Sequence, residues 1–367
     1  MDSHRFDMIV VGVGLSGLTA AGAAAHGGLK VALVATGPGS FVLGSGCLEE
    51  QEFARPGAAP EMADAIAFFR EIAQTAGCPY EGNVSAGHLL PTILGSYKSF
   101  ALAPRFLWNA DPGSSRSTAI VGIKELSCFD ENFIAERLNE HARRLGFNST
   151  YQARQISLAP MFKGPVTTVR IAARFDSYQG FRAELLSALR IAASGFERIL
   201  VPAMLGLNSS EKDLVQFEHE LGCSLCELPT LPPSISGLRL FHGLRGYLSE
   251  IGVELFEGFP VVKLQISGGL CTEVVIASPG HPLILRGDSV ALATGQHTSE
   301  LLGRACAGHD EQIRPLTSAG TVMAANLFDA ETDSRDGPEG SGNAMQICAG
   351  YRAAIAAAAT RGNYAAG

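Results

Sequence analysis

Basic residues are not in excess in this chain of 367 residues: 28 lysines and arginines stand against 36 aspartates and glutamates, a net charge of −8. Attachment to nucleic acid or to anionic lipid through overall charge is thereby excluded, and an anionic ligand would need a local basic pocket. Internal repeats and low-complexity tracts are missing. The eight cysteines, Cys47, Cys78, Cys128, Cys223, Cys226, Cys271, Cys306 and Cys348, lack the spacing of a disulfide scaffold and read as reduced thiols in a cytoplasmic protein. Cys223-Ser-Leu-Cys226 alone has ligand spacing. No second such pair accompanies it, and Leu221, Leu225 and Leu228 give it core character, so it reads as buried small residues rather than a metal or redox centre. Long apolar runs are scarce too. The uncharged stretch 8–25 follows Asp7, lacks a basic lead-in and contains four glycines, so it reads as strand and helix rather than signal or membrane span.

What that stretch does contain is an apolar strand at 8–11 running into Gly12-x-Gly14-x-x-Gly17 and a small-residue helix at 15–25, stopped by Gly27-Gly28. Gly12 allows the sharp turn out of the strand, Gly14 lets backbone approach a phosphate, and Gly17 lets the helix pack against the sheet. The unsatisfied amides at the helix start then face the anion. With 42 glycines in the chain the pattern alone is weak, and its strand-to-helix context is what gives it meaning. A second strand over 29–36 should end in Asp or Glu if an adenosine ribose is to be gripped by a carboxylate, yet Ala35 and Thr36 stand there. Either the adenosine is held another way or the ligand is smaller than a dinucleotide.

A hydrophobic content of 46% can bury a large core, and the length exceeds what single cores usually reach. The expected organisation is α/β: a Rossmann-like lobe from 1–50 and 235–367, with an inserted α+β domain at 51–234. Amphipathic helices are expected at 61–76, at 131–145 behind Asp130, and at 179–193, with strands at 117–123 and 198–203 between them. The second half resumes with a helix at 238–251, strands at 253–256 and 261–266, and a Gly268-Gly269 turn into 272–277. A buried strand at 288–295 then places Thr294 and Gly295 at the carboxyl edge of a sheet, where ligands of open α/β folds sit. After an acidic, irregular stretch at 329–339, Gly340-Ser-Gly-Asn-Ala344 opens an alanine-rich helix whose positive end faces whatever precedes Gly342.

The glycine loop, the Ala293-Thr294-Gly295 turn and the late Gly-x-Gly-Asn-Ala helix start together resemble flavin-dependent oxidoreductases of the two-part Rossmann type. The segment Cys223-Ser-Leu-Cys-Glu-Leu-Pro-Thr-Leu-Pro-Pro-Ser-Ile-Ser-Gly-Leu-Arg-Leu240 resembles the family of B subunits of anaerobic glycerol-3-phosphate dehydrogenase. Ser45-Gly46-Cys-Leu, the stretches at 119–123 and 199–206, and Asn326-Leu-Phe328 extend that similarity. The resemblance implies a flavoprotein carrying FMN, with FAD as the alternative. Its implied partners are a larger flavoprotein subunit and an iron–sulfur, membrane-attaching subunit that would bring it to the inner face of the membrane. Such a complex oxidises glycerol 3-phosphate to dihydroxyacetone phosphate and passes electrons to quinone. Two features depart from the family: a shortened segment between His309 and Asn326, and Asp329-Ala-Glu-Thr332 in place of a glycine-containing turn.

The expected cofactor contacts are Gly12, Gly14, Ser16, Gly17, Ala35, Thr36, Ser45, Gly46, Val261, Thr294, Gly295, Gly342, Asn343 and Ala344. Alcohol oxidation through a flavin also needs a base for the hydroxyl proton. His297, two residues past Gly295, is the candidate, although the resemblance extends to no histidine there and a lone histidine is more often structural. Lys98 and Arg239 are candidates for the substrate phosphate, each with the alternative of an ordinary solvated charge. A helix start near Gly342 would add roughly 0.3–1 kcal/mol toward an anion at an exposed terminus. The rival functional classes are a non-catalytic flavin-binding relay or assembly subunit and a stand-alone flavin oxidoreductase of another small molecule.

Overall fold

The computed structural model describes residues 4–53, 61–114, 116–295, 298–302, 306–330 and 342–364. Two compact units divide the chain: Met1–Ser40, Pro56–Ile72 and Leu244–Gly367 form one, and Phe41–Arg55 with Ala73–Gly243 form the other.

The first unit is built on a seven-stranded sheet. Glu254–Glu257, Val31–Ala35, His4–Val11 and the second half of Leu283–Leu292 run parallel in that spatial order, and Leu327–Asp329 pairs parallel to the last. On its edge away from His4–Val11 the start of Leu283–Leu292 pairs antiparallel with Leu270–Ile276, which continues into a hairpin with Val261–Ser267 across Gly268 and Gly269. The strand is therefore longer than the 288–295 expected from its apolar run. Its leading residues include Arg286 and Gly287, which carry no hydrophobic signal at the level of sequence. Met8, Ile9 and Val10 are fully buried and all of Val31–Ala35 is buried, as two-sided parallel strands require. Helix Leu15–His26 lies against the terminal helix Asn343–Tyr364 at a close crossing: a Cβ on Gly350 would stand 2.1 Å from the carbonyl of Ser16.

The second unit carries a four-stranded, wholly parallel sheet in the order Ser224–Leu228, Arg198–Pro202, Ser117–Ile123, Thr150–Ile156. Helices Glu131–Leu145, Thr168–Ser177 and Gln179–Ala193 follow its strands in the chain. Asp130 caps the first of these, accepting from the amide of Phe133 at 3.0 Å, and Gly146 ends it in the left-handed region. A separate four-stranded antiparallel sheet joins Leu48–Glu49, Tyr97–Pro104, Tyr80–Gly82 and His88–Pro91. Ser117–Ile123 and Gln179–Ala193 have the bounds their periodicity predicts. Among the described residues no helix is long and apolar enough to cross a membrane.

Candidate functional site

In the first unit the chain leaves His4–Val11 toward Val31–Ala35 on one side, while Leu283–Leu292 lies on the other. The direction of winding reverses between them, and ligands of open parallel sheets bind outside the carboxyl ends of the strands at such a point. Gly12 and Ala293 meet here. Gly12 has φ +110°, and a Cβ on it would lie 2.1 Å from the carbonyl oxygen of Ala293. A Cβ on Gly17 would lie 2.0 Å from the carbonyl oxygen of Gly12. Both glycines are thus demanded by the protein's own backbone.

Gly14 is different. It stands at the cap of Leu15–His26 with φ −66°, a conformation open to any residue, and among the described residues nothing beyond its chain neighbours comes within 4 Å of where its Cβ would be. The first amides of the helix beside it have no partner within the helix. The first turn contains no acidic residue and the cap makes no side-chain hydrogen bond, so neither repels or replaces an anion. On another side of Gly14 the turn after the second strand closes in: a Cβ on Gly39 would lie 2.4 Å from the Gly14 Cα.

Ala293, Ala330 and Ala35 stand at the carboxyl ends of these strands. The amide of Ala293 donates to Val11 at 2.7 Å, and that of Ala330 donates to Leu292 at 2.8 Å. Thr294 is half-buried, and Gly295 follows with φ +63°. Ser16 is buried and its hydroxyl donates to the carbonyl of Ala330, joining the glycine helix to the end of the last strand. That strand forms despite the shortened approach, with Asp329 in register beside Leu292. The terminal helix starts at Asn343, seven residues or about 10 Å of helix rise before its crossing at Gly350. Ala344 is fully buried, and Gly342 accepts from the amide of Gln346. Ala35 is buried at the end of its strand, Thr36 is exposed, and Val261 opens the hairpin strand. His297 lies outside the described residues, as do residues 331–341.

The remaining candidates lie in the second unit. Gly46 has φ +78° and its carbonyl accepts from the Tyr80 hydroxyl at 2.8 Å, while Ser45 Oγ accepts from the amide of Cys47. Lys98, half-exposed, is ion-paired with Glu49. Arg239 is internal: its Nη1 and Nη2 donate to Glu227 at 2.7 and 3.1 Å and its Nε donates to Gly206 at 3.1 Å. Glu227, fully buried, also accepts the amides of Met204 and Leu205 at 2.9 Å each. Burial pushes the Glu227 carboxyl up, but the Arg239 charge and these hydrogen bonds outweigh it and hold the group below the usual carboxylate range. Arg239 is therefore occupied inside the fold rather than presented to a substrate phosphate.

Glu227 was not expected from the sequence to matter, though a carboxylate inside the apolar run 225–228 could have been flagged as needing a buried partner. Asp176 is a similar case. Its carboxylate accepts the amides of Leu207 at 2.7 Å and Asn208 at 3.0 Å and the Ser209 hydroxyl at 3.1 Å. Cys226 is fully buried and Cys223 half-buried, and burial pushes the first thiol up to about 12 and the second to about 11. Among the described residues no group of three or more His, Cys, Asp or Glu side chains is placed to hold a metal.

No family model matches the sequence. Curated relatives bear out the resemblance read from its motifs. A protein of Glaesserella parasuis named as the B subunit of anaerobic glycerol-3-phosphate dehydrogenase is 23% identical over 354 residues, covering 87% of this chain and 80% of the relative. One of the same name from Pectobacterium atrosepticum is 26% identical over 330 residues, 80% of this chain and 76% of the relative. A probable B subunit from Halobacterium salinarum is 26% identical over 322 residues, covering 79% and 74%. Solved structures with similarity include glycine oxidase from Bacillus cereus, at 13% identity and TM-score 0.35 over 82% of this chain and 59% of that one. L-Amino acid deaminase from Proteus myxofaciens matches at 13% identity and TM-score 0.33, over 82% and 48%.

Proposed function

We propose that this chain is a flavin-bearing oxidoreductase subunit of an anaerobic glycerol-3-phosphate dehydrogenase complex. In that role it oxidises glycerol 3-phosphate to dihydroxyacetone phosphate beside a larger flavoprotein subunit and an iron–sulfur, membrane-attaching subunit, with quinone as the final acceptor. The observation that carries the reading is the division of labour among three glycines: Gly12 and Gly17 are filled against backbone, and Gly14, at a helix start, has none of the described residues where its Cβ would be. The names of the sequence relatives support the choice of substrate.

The residues present fit a phosphate-bearing cofactor, since a Cβ at position 14 would enter space that none of the described residues uses. Gly14 gives the phosphate its approach, and the amides at the start of Leu15–His26 donate to its oxygens. Gly12, locked against Ala293, sets the height of that helix relative to the sheet. When bound, a flavin supplies the hydride acceptor for alcohol oxidation. His297 is the proposed proton acceptor.

A second reading, a flavin-binding relay whose companion subunit holds the alcohol site, is favoured by Lys98 and Arg239, both already paired with carboxylates. Anaerobic mixing of the purified chain with glycerol 3-phosphate separates the two. Bleaching of the flavin absorbance in the isolated chain supports the catalytic reading, and bleaching that requires the larger subunit supports the relay. A colourless protein that takes up no flavin would refute both.

A further inference from the structure

The second strand ends in Ala35 where a carboxylate would grip an adenosine ribose, but the next strand outward does not lack one. Glu254–Glu257 runs parallel to Val31–Ala35 with Glu257 in register beside Ala35. The pairing holds through the strand end, where the amide of Gly258 donates to the Ala35 carbonyl at 2.9 Å before Gly258, at φ +94°, turns the chain away. Residues in register on neighbouring strands project to the same face, about 4.8 Å apart. The Glu257 carboxylate thus rises from the position an acid on Ala35 would occupy, displaced by one strand. Its orientation is imposed: Arg245 Nε lies 2.8 Å from Oε1 and 2.9 Å from Oε2, and Nη2 lies 2.5 Å from Oε2. That grip orders the carboxylate without using all its lone pairs, which number about four. Glu257 remains 30% exposed and Arg245 44% exposed, so hydroxyl groups can reach the acceptor.

We propose that Glu257, positioned by Arg245, replaces the missing acid at Ala35 and accepts the hydroxyls of an adenosine ribose, so that the ligand of the glycine loop is an adenine dinucleotide flavin rather than FMN. The inference rests on the flavin reading above and decides which flavin. Arg245 acts through Glu257 and is a positioning residue. The pair could instead tie helix Ile235–Glu250 to its strand and do nothing else, and the two roles part in their ligand selectivity.

The test strips flavin from the wild type and from Glu257→Gln, Glu257→Asp and Arg245→Met, then titrates each with FAD and with FMN by calorimetry. The wild type is expected to prefer FAD. Glu257→Gln should lose at least about tenfold in FAD affinity, the worth of a hydrogen bond to a charged acceptor, with FMN affinity held within about twofold. Glu257→Asp should recover part of the preference for FAD, and Arg245→Met should lose a smaller part of it. Equal losses for the two flavins, or no loss for either, would overturn the proposal. A wild type that binds FMN as tightly as FAD overturns it while leaving the flavin reading intact. A wild type that binds neither removes the flavin reading and this inference with it.

Discussion

At the winding reversal of the first unit, Leu15–His26 starts beside Gly14, where none of the described residues comes within 4 Å of the place of a Cβ. The second unit has a reversal of its own, between Ser117–Ile123 and Arg198–Pro202, and there the loop at 204–209 turns its amides onto Glu227 and Asp176. Both edges use one device, a run of backbone donors at the carboxyl ends of parallel strands. Among the described residues, the second unit supplies its own anions and the first does not. An edge finished from within stabilises the fold, and an edge left open is where an external phosphate can complete the set.

The largest effect separating the two edges should come from removing an internal anion. Glu227→Ala leaves Arg239 charged, buried and without its carboxylate, and frees the amides of Met204 and Leu205, which should cost about 3–5 kcal/mol in urea unfolding. The dependence on pH follows from the lowered folded pKa of Glu227. Its contribution is fully present above the unfolded value of about 4.3 and is lost as pH falls through the lower folded value. The gap between wild type and variant should therefore close on acidification below about pH 4. A gap that stayed constant to pH 2 would show that the pair is not what holds this edge.

The open edge should respond in two opposite ways to the same added methyl group. Gly12→Ala drives a Cβ to 2.1 Å from the Ala293 carbonyl at a φ of +110°, and should cost about 3 kcal/mol in stability whether or not ligand is present. Gly14→Ala enters open space at an ordinary φ and should cost less than about 1 kcal/mol, with Gly14→Val behaving similarly toward folding but abolishing bound flavin colour. Thermal melts of stripped protein together with flavin absorbance separate these outcomes. Full flavination of Gly14→Val would move the phosphate elsewhere.

This contrast also marks what the sequence could reveal. Glycine spacing reports backbone geometry directly, so the loop at Gly12–Gly17 and the turn at Ala293 were legible, as was helix Glu131–Leu145 with its cap and period. Glu257 and Glu227 were not legible, because each gains its meaning from a partner brought close only by strand register or tertiary packing: Ala35 for one, Arg239 and two loop amides for the other. Arg239 read as an available cation for the same reason. The short antiparallel strands Tyr80–Gly82 and His88–Pro91 escaped notice because three or four residues are too few to show a period of two.

Local and nonlocal contributions within the second unit can be compared through Asp130. Its cap is a sequence-local bond to the amide of Phe133, and Asp130→Ala should cost about 1 kcal/mol, well below the loss at Glu227. Circular dichroism melts of the two variants give the ratio. Equal losses would mean that the buried pair adds no more than one helix cap.

The smallest effect is expected at Lys98. Its ion pair with Glu49 joins the same two chemical groups, a cation and a carboxylate, as the pair of Arg239 with Glu227, yet its side chain is 50% exposed against 9% for Arg239. Water already solvates both partners in the unfolded chain and still solvates Lys98 in the folded one, so little is gained by pairing and little is orphaned by breaking it. Lys98→Met should shift unfolding by less than about 1 kcal/mol. Whatever shift exists should shrink between low salt and about 0.5 M salt, where screening acts over a few ångströms. The Glu227 deficit should persist under the same salt, since counter-ions do not reach a carboxylate with no exposed surface. Matching salt dependence for the two variants would show that pairing as such, and not enclosure by the fold, sets the strength of the closed edge.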